Sequence, residues 1–242
     1  MKRTKLASIV ALTVVMGIVS VASAEPIGPS FAVQDIIDGT GAITVQDKVF
    51  SDFSVVSPNA ENEDSVAPSA DELFVQGWVW ESGPYAGEVG LRFDGGWMAG
   101  YEKTAASTIK FRVQADDPYL ISDNTLYTTA FDAILGGSAG VTESVYHDEP
   151  VAGVERFEGK SIYTYSDTGA EKQTDHVDYD PADYDDDIWV SVGVTVTGGN
   201  DDEDAHAQLN DFYITFSQVP EPATMAVLGL GGLTMLLRRK RQ

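Results

Sequence analysis

Between Glu25 and Ser217 the apolar residues recur mainly at every second position rather than at helical spacing. In Thr108–Val113, Ile109, Phe111 and Val113 face one way, while Lys110 and Arg112 face the other. Ile188, Val190, Val192, Val194 and Val196 alternate with Trp189, Ser191, Gly193 and Thr195; Phe212, Ile214 and Phe216 alternate with Tyr213 and Thr215. Successive side chains of a strand point to opposite faces, so this period predicts half-buried strands. The same reading places strands at Ile43–Val45, Lys48–Val56, Leu73–Trp80, Glu88–Phe93, Tyr119–Tyr127, Ala139–Tyr146 and Ser161–Tyr165. Turn signals at Asp38-Gly39, Asp94-Gly95-Gly96, Gly136-Gly137 and Gly198-Gly199-Asn200 separate them. Many short strands with few helical patterns predict an all-β fold, an antiparallel β-sandwich or jelly-roll-like domain over residues 25–218.

Two apolar runs at the ends break the alternation. Leu6 to Val21 follows Met-Lys-Arg-Thr-Lys and precedes the small residues Ala22-Ser23-Ala24. A basic start, an apolar stretch and a small-residue site are the layout of a cleavable signal peptide, here residues 1–24. The second run, Ala223 to Leu237, has 15 residues without a charge and is followed by Arg238, Arg239, Lys240 and Arg241. A helix of that length spans about 22 Å against a bilayer core of about 30 Å, short for a free-standing span. Basic residues at its end can snorkel and extend the reach. They are expected to stay cytoplasmic, with the acidic domain on the far side, where the signal peptide sends it. Residues 219–242 therefore read as a short hydrophobic helix that attaches the chain to a membrane before any processing.

Charge sharpens the picture of the middle. The chain carries 38 Asp+Glu and 15 Lys+Arg. Seven of the basic residues sit at the two ends, which leaves 8 against 37 acids between them, a charge of −29. Such a surface repels nucleic acid, so no nucleic-acid partner is expected. There is no cysteine, which excludes a disulfide framework and thiolate metal sites.

Candidate chemistry is sparse. The acids concentrate in residues 175–187 and in Asn200-Asp201-Asp202-Glu203-Asp204. Alternating carboxylates in a loop can converge on Ca²⁺, which takes six to eight hard oxygens, and Asp178, Asp180, Asp183 and Asp185 are the candidate ligands. The spacing is not that of an EF-hand, because Asp183 stands where glycine is needed and Trp189 where glutamate is needed. Two solvated acidic loops flanking the Ile188–Val196 strand are the plainer expectation, with no cofactor or at most Ca²⁺. His147, His176 and His206 each lie in an acidic context, without a nucleophile elbow or an H-E-x-x-H pattern. A glycosidase needs two facing carboxylates, and 37 acids always supply some pair, so no specific catalytic residue emerges and the domain is expected not to be an enzyme. Trp78, Trp80 and Trp97 are candidate sugar-stacking residues; burial in the sandwich is the competing reading. Trp78 and Trp80 fall on one face of their strand.

The tail carries one specific likeness. Val219-Pro220-Glu221-Pro222, then an apolar run, then Arg-Arg-Lys-Arg, resembles the PEP-CTERM sorting signal, which is also filed as an ice-binding-protein C-terminal domain. The triplet is Pro220, Glu221 and Pro222, and the basic stop is Arg238, Arg239, Lys240 and Arg241. The resemblance covers about one tenth of the chain. It implies recognition by an exosortase, a membrane-embedded cysteine protease. It also implies a Gram-negative producer of exopolysaccharide or biofilm, and a protein secreted across the inner membrane to the envelope, outer surface or matrix. The two proline-restricted positions hold the segment extended, where a protease can reach it. The expected function is an exported, non-catalytic surface or matrix protein, structural or adhesive, with exopolysaccharide as a candidate partner. The alternatives are a calcium-dependent carbohydrate-binding adhesin and a secreted carbohydrate-active enzyme.

Overall fold

The computed structural model describes residues 24–39, 41–58 and 64–220. The expected signal peptide up to Ser23, the residues Glu221 and Pro222, the apolar tail segment and its basic end lie outside the described residues. The described chain forms β1 (Ala24–Ala32), α1 (Val33–Asp38), β2 (Ala42–Val45), β3 (Lys48–Val56), β4 (Ser65–Val66), β5 (Phe74–Trp80), β6 (Val89–Ala99) and β7 (Thr104–Ala115). It continues through β8 (Tyr119–Tyr127), β9 (Phe131–Ile134), β10 (Ser138–Tyr146), β11 (Glu158–Tyr165), β12 (Ala170–Lys172), β13 (Thr174–Asp178), β14 (Asp187–Thr197) and β15 (His206–Pro220).

The strands make two antiparallel sheets. One has the order β1-β5-β6-β15-β8-β13, with β4 beside β6 and β9 beside β15; the other runs β12-β11-β10-β14-β7-β3-β2. The chain changes sheet between β1 and β2, β3 and β4, β6 and β7, β7 and β8, β9 and β10, β12 and β13, β13 and β14, and β14 and β15, so many neighbours in sequence lie in facing layers. This is an antiparallel β-sandwich, the class the two-residue period predicts.

The alternation explains the layers. Ile188, Val190, Val192 and Val196 of β14 are fully buried on one face, as are Ile109, Phe111 and Val113 of β7. From the first sheet Leu91, Phe93, Phe212, Ile214 and Phe216 meet them, also fully buried. Phe93 stacks on Phe212 with ring centres 5.0 Å apart and reaches Phe111 of the facing sheet at 5.6 Å. Each such side chain contributes about 1.5–3 kcal/mol by leaving water, which lets a cysteine-free domain hold itself together.

Two local expectations are corrected. Asp94-Gly95-Gly96, read as a turn, lies inside β6, which continues to Ala99. The register against β15 shifts between Leu209 and Asp211 at that point, and Gly96 takes a φ of 63°, so a bulge absorbs what the glycines suggested was an end. A Cβ at Gly95 would come within 2.7 Å of Pro68, so the residue is small because the chain packs against it. The acidic stretch from Asp175 is likewise not all loop. Thr174–Asp178 forms β13, the edge of the first sheet, paired with β8 from Thr174↔Tyr127 to Asp178↔Asp123. Charged residues are at home on an edge strand, where they also discourage pairing with another chain.

Candidate functional site

The outer face of the second sheet carries a trough of about 340 Å³, lined across β11, β10 and β14. Cross-strand register builds it in rows: Tyr165 pairs with Ser138, Tyr163 with Gly140, and Ser161 with Thr142; on the other side Gly140 pairs with Thr195 and Thr142 with Gly193. All these residues alternate with core-facing Ala139, Val141, Ile162, Val192 and Val194, so they point outward together.

Two strand-interior glycines make the floor. Neither Gly140 nor Gly193 has a left-handed backbone that would demand glycine. A Cβ at Gly140 would meet only Ile162 O at 3.4 Å and Tyr163 Cβ at 3.7 Å, ordinary contacts, so the position is open rather than crowded. Glycine weakens a strand, and here what it provides is depth. Tyr163 and Tyr165 form the wall, with ring centres 5.3 Å apart and planes tilted by 46°. Tyr165 is 48% exposed. Hydroxyls of Ser138, Thr142, Ser161 and Thr195 complete the lining, and Thr142 Oγ1 donates to Gly193 O at 3.3 Å. None of the lining residues is charged, although the chain holds 38 acids. The arrangement offers aromatic faces and hydroxyls without electrostatic selection for charge.

The outer face of the first sheet is different. One row crosses five strands: Trp78, Gly90, Thr215, Thr125 and His176. Trp78 lies 4.8 Å from Tyr213, Trp80 lies 5.3 Å from Tyr127, and Tyr85 lies 5.3 Å from His176. These rings largely cover one another. Trp80 is 7% exposed and Tyr213 5%, and the indole Nε1 atoms of both Trp78 and Trp80 are buried without a hydrogen-bond partner. Beside them Glu88 is 5% exposed and accepts hydrogen bonds from Thr125 Oγ1 at 3.0 Å and Thr215 Oγ1 at 2.5 Å. Burial pushes its carboxyl up to about 7, against the smaller lowering effect of the two threonine hydroxyls.

The sequence-derived candidates are thus only partly brought together. Trp97 is a correction: it is fully buried in the core, with Nε1 donating to Ser107 Oγ at 2.9 Å, and has no face for a sugar. Trp78 and Trp80 do share the outer face of β5, but as members of the aromatic cover. Asp178, Asp180, Asp183 and Asp185 do not converge as a set. Asp178 turns to His176 at 3.4 Å, Asp180 Oδ1 accepts from the Ala182 N–H, and Asp183 and Asp185 flank His147 at 3.6 and 3.1 Å. Among the described residues, the one group of three metal-capable side chains at ligand spacing is Glu88, Asp123 and His176. Sequence reasoning missed the trough residues; the one trace they leave there is glycine at outward positions of strand patterns, Gly140 and Gly193, with Tyr163 and Tyr165 two residues apart.

The fold and site define the class, an antiparallel β-sandwich with an uncharged trough across one sheet. Residues 218–241 match the PEP-CTERM protein-sorting motif, so the chain carries this sorting signal. The motif marks a protein exported and sorted to the cell envelope or surface, and it implies processing by an exosortase. Its first residues, Gln218, Val219 and Pro220, are the end of β15, paired with Ile121, Leu120 and Tyr119 of β8. No curated protein sequence matches the chain. Solved structures to which the chain is similar include the module TmCBM61 in complex with β-1,4-galactotriose, at 12% identity and a TM-score of 0.30, covering 68% of this chain and 88% of that one. A carbohydrate-binding module of the β-sandwich superfamily matches at 12% identity and a TM-score of 0.27, covering 69% of this chain and 56% of that one. A family 11 carbohydrate-binding module from Clostridium thermocellum, solved with a β-1,3-1,4-mixed-linked tetrasaccharide, matches at 8% identity and a TM-score of 0.20, covering 70% and 89%. No helix among the described residues is long and apolar enough to cross a membrane.

Proposed function

We propose that this is a non-catalytic envelope or matrix protein that holds a neutral polysaccharide in the trough of its second sheet. Exopolysaccharide of a biofilm is the natural candidate for an exported protein with this tail. The observation that carries the reading is the trough itself. It has tyrosine faces for sugar C–H groups, hydroxyls and backbone for sugar hydroxyls, a floor left open at Gly140, and no charged lining residue. In a protein with a formal charge of −23, the acidic remainder of the surface repels anionic polymers, while the uncharged recess accepts neutral ones. The lining offers no carboxylate pair for glycoside hydrolysis, which supports binding rather than turnover.

Affinity electrophoresis through gels containing neutral or anionic polysaccharides tests this. The wild-type protein is expected to be retarded by at least one neutral polymer, little affected by salt, and a Tyr163→Ala, Tyr165→Ala double variant is expected to run free. Retardation only by anionic polymers, or equal retardation of the double variant, contradicts the reading.

A further inference from the structure

We propose that Glu88, Asp123 and His176 form a binding site for a first-row divalent transition ion, with Zn²⁺ as the fitting probe. The three side chains come from different parts of the chain, the β5–β6 turn, β8 and β13, and each offers one ligand atom within 4.8 Å of the others. Sheet register brings them together: Asp123 pairs with Ser217, Thr125 with both Thr215 and His176, and Glu88 reaches over Thr125 and Thr215.

One oxygen left over points to a cation. Asp123 Oδ2 accepts from Ser122 Oγ at 3.2 Å and from Ser217 Oγ. Asp123 Oδ1 is buried and has no hydrogen-bond partner. A desolvated carboxylate oxygen without a donor is costly, and a bound cation relieves that cost directly. Neither Glu88 nor Asp123 is ion-paired to Lys or Arg among the described residues. Lys48, whose charge both carboxylates feel, is committed instead to Asp47 at 3.1 Å and Gln218 at 3.2 Å.

The histidine fixes the class of ion. Its Nδ1 faces the cluster, 3.8 Å from Glu88 Oε1 and 2.8 Å from Thr125 Oγ1. Its Nε2 lies 3.4 Å from Asp178 Oδ1. A carboxylate beside the remote nitrogen is the common support of a metal-binding imidazole, and the tautomer with its proton on Nε2 is the one that would coordinate through Nδ1. One imidazole with two carboxylates suits Zn²⁺ and its neighbours, whereas Ca²⁺ takes six to eight oxygens. This assigns Asp178 a part different from that of a loop ligand, as a positioning residue for His176. The site lies on the sheet opposite the trough and does not depend on the proposed glycan.

The test is calorimetric titration and thermal melting of the metal-stripped full-length chain in mild detergent, with Zn²⁺, Ca²⁺ and Mg²⁺ in turn. Zn²⁺ is expected to bind at about one ion per chain and to raise the midpoint by several degrees, reversibly on chelation, because it binds only the folded state. His176→Gln and Asp123→Asn are each expected to weaken binding about tenfold or more. Should Asp123→Asn fail to fold, the half-exposed His176→Gln decides by the same criterion. No Zn²⁺ response, a response to Ca²⁺ alone, an undiminished response in His176→Gln, or a response lost in His147→Gln instead would overturn the proposal.

Discussion

Lys160 Nζ lies 3.3 Å from Glu143 Oε2 inside the sandwich, and neither side chain has any exposure. The pair belongs to the second sheet, and Asn124 of the first sheet closes it. Asn124 Nδ2 donates to Glu143 Oε1, and Lys160 Nζ donates both to Asn124 Oδ1 and to Asn124 O, the latter at 3.2 Å. Both ions have left water, so their value lies in being paired rather than in being charged. Lys160→Met alone leaves Glu143 stranded and is expected to cost about 3–5 kcal/mol. Glu143→Leu combined with Lys160→Met is expected to cost clearly less than the single change. Denaturant unfolding of wild type, the single variant and the double variant checks this, and a double variant as unstable as Lys160→Met or more so would show that the pair does not act as a unit.

Glu88 makes stability depend on pH. Its carboxyl titrates at about 7 in the fold against 4.5 for an ordinary glutamate, because burial disfavours the charged form. The folded state therefore holds the proton more tightly than the unfolded chain. This contribution is fully present below about pH 4.5 and is lost as pH rises toward 7, a change on the order of 3 kcal/mol. Melts in chelator across that window should fall more steeply for wild type than for Glu88→Gln. Parallel curves would place the titration elsewhere.

Trp97 separates packing from binding. Its side chain is fully buried against Phe212 at 5.7 Å. Trp97→Ala is expected to cost about 3–5 kcal/mol of stability. Measured well below the melting transition, it should leave polysaccharide retention within about twofold of wild type. A stable variant with lost retention would return the residue to a ligand site.

The sorting motif makes a cellular prediction. Replacing Pro220, Glu221 and Pro222 with alanine should leave full-length protein in the inner membrane, while the wild type appears shortened at the surface or in the medium. Fractionation and mass measurement of the recovered chains decide it, and equal processing of both would contradict recognition of the triplet.

The layers were legible in the sequence because burial on one face leaves a period of two. Lys48–Val56 and Tyr119–Tyr127 were placed to the residue. Elements without that period were not legible. β1 contains Pro26, Gly28 and Pro29 and holds its place as an edge strand by pairing with β5, while β12 spans only Ala170–Lys172. The trough escaped because it is made of what is missing, two absent side chains on neighbouring strands whose register no single stretch reveals. Glu88, Asp123 and His176 lie far apart in the chain and carry no local motif, and the conspicuous run of aspartates drew the metal reading toward residues that do not converge as a set.

The most direct test titrates the retained neutral polysaccharide against wild type, Gly140→Val and Trp78→Ala. Valine suits a strand, and its Cβ finds only ordinary contacts at position 140, so the fold should keep its melting point while the floor of the trough fills. Binding weakened about tenfold or more in Gly140→Val, and within about twofold of wild type in Trp78→Ala, is the predicted result. Full binding by Gly140→Val with loss in Trp78→Ala would move the site to the opposite sheet and contradict the account.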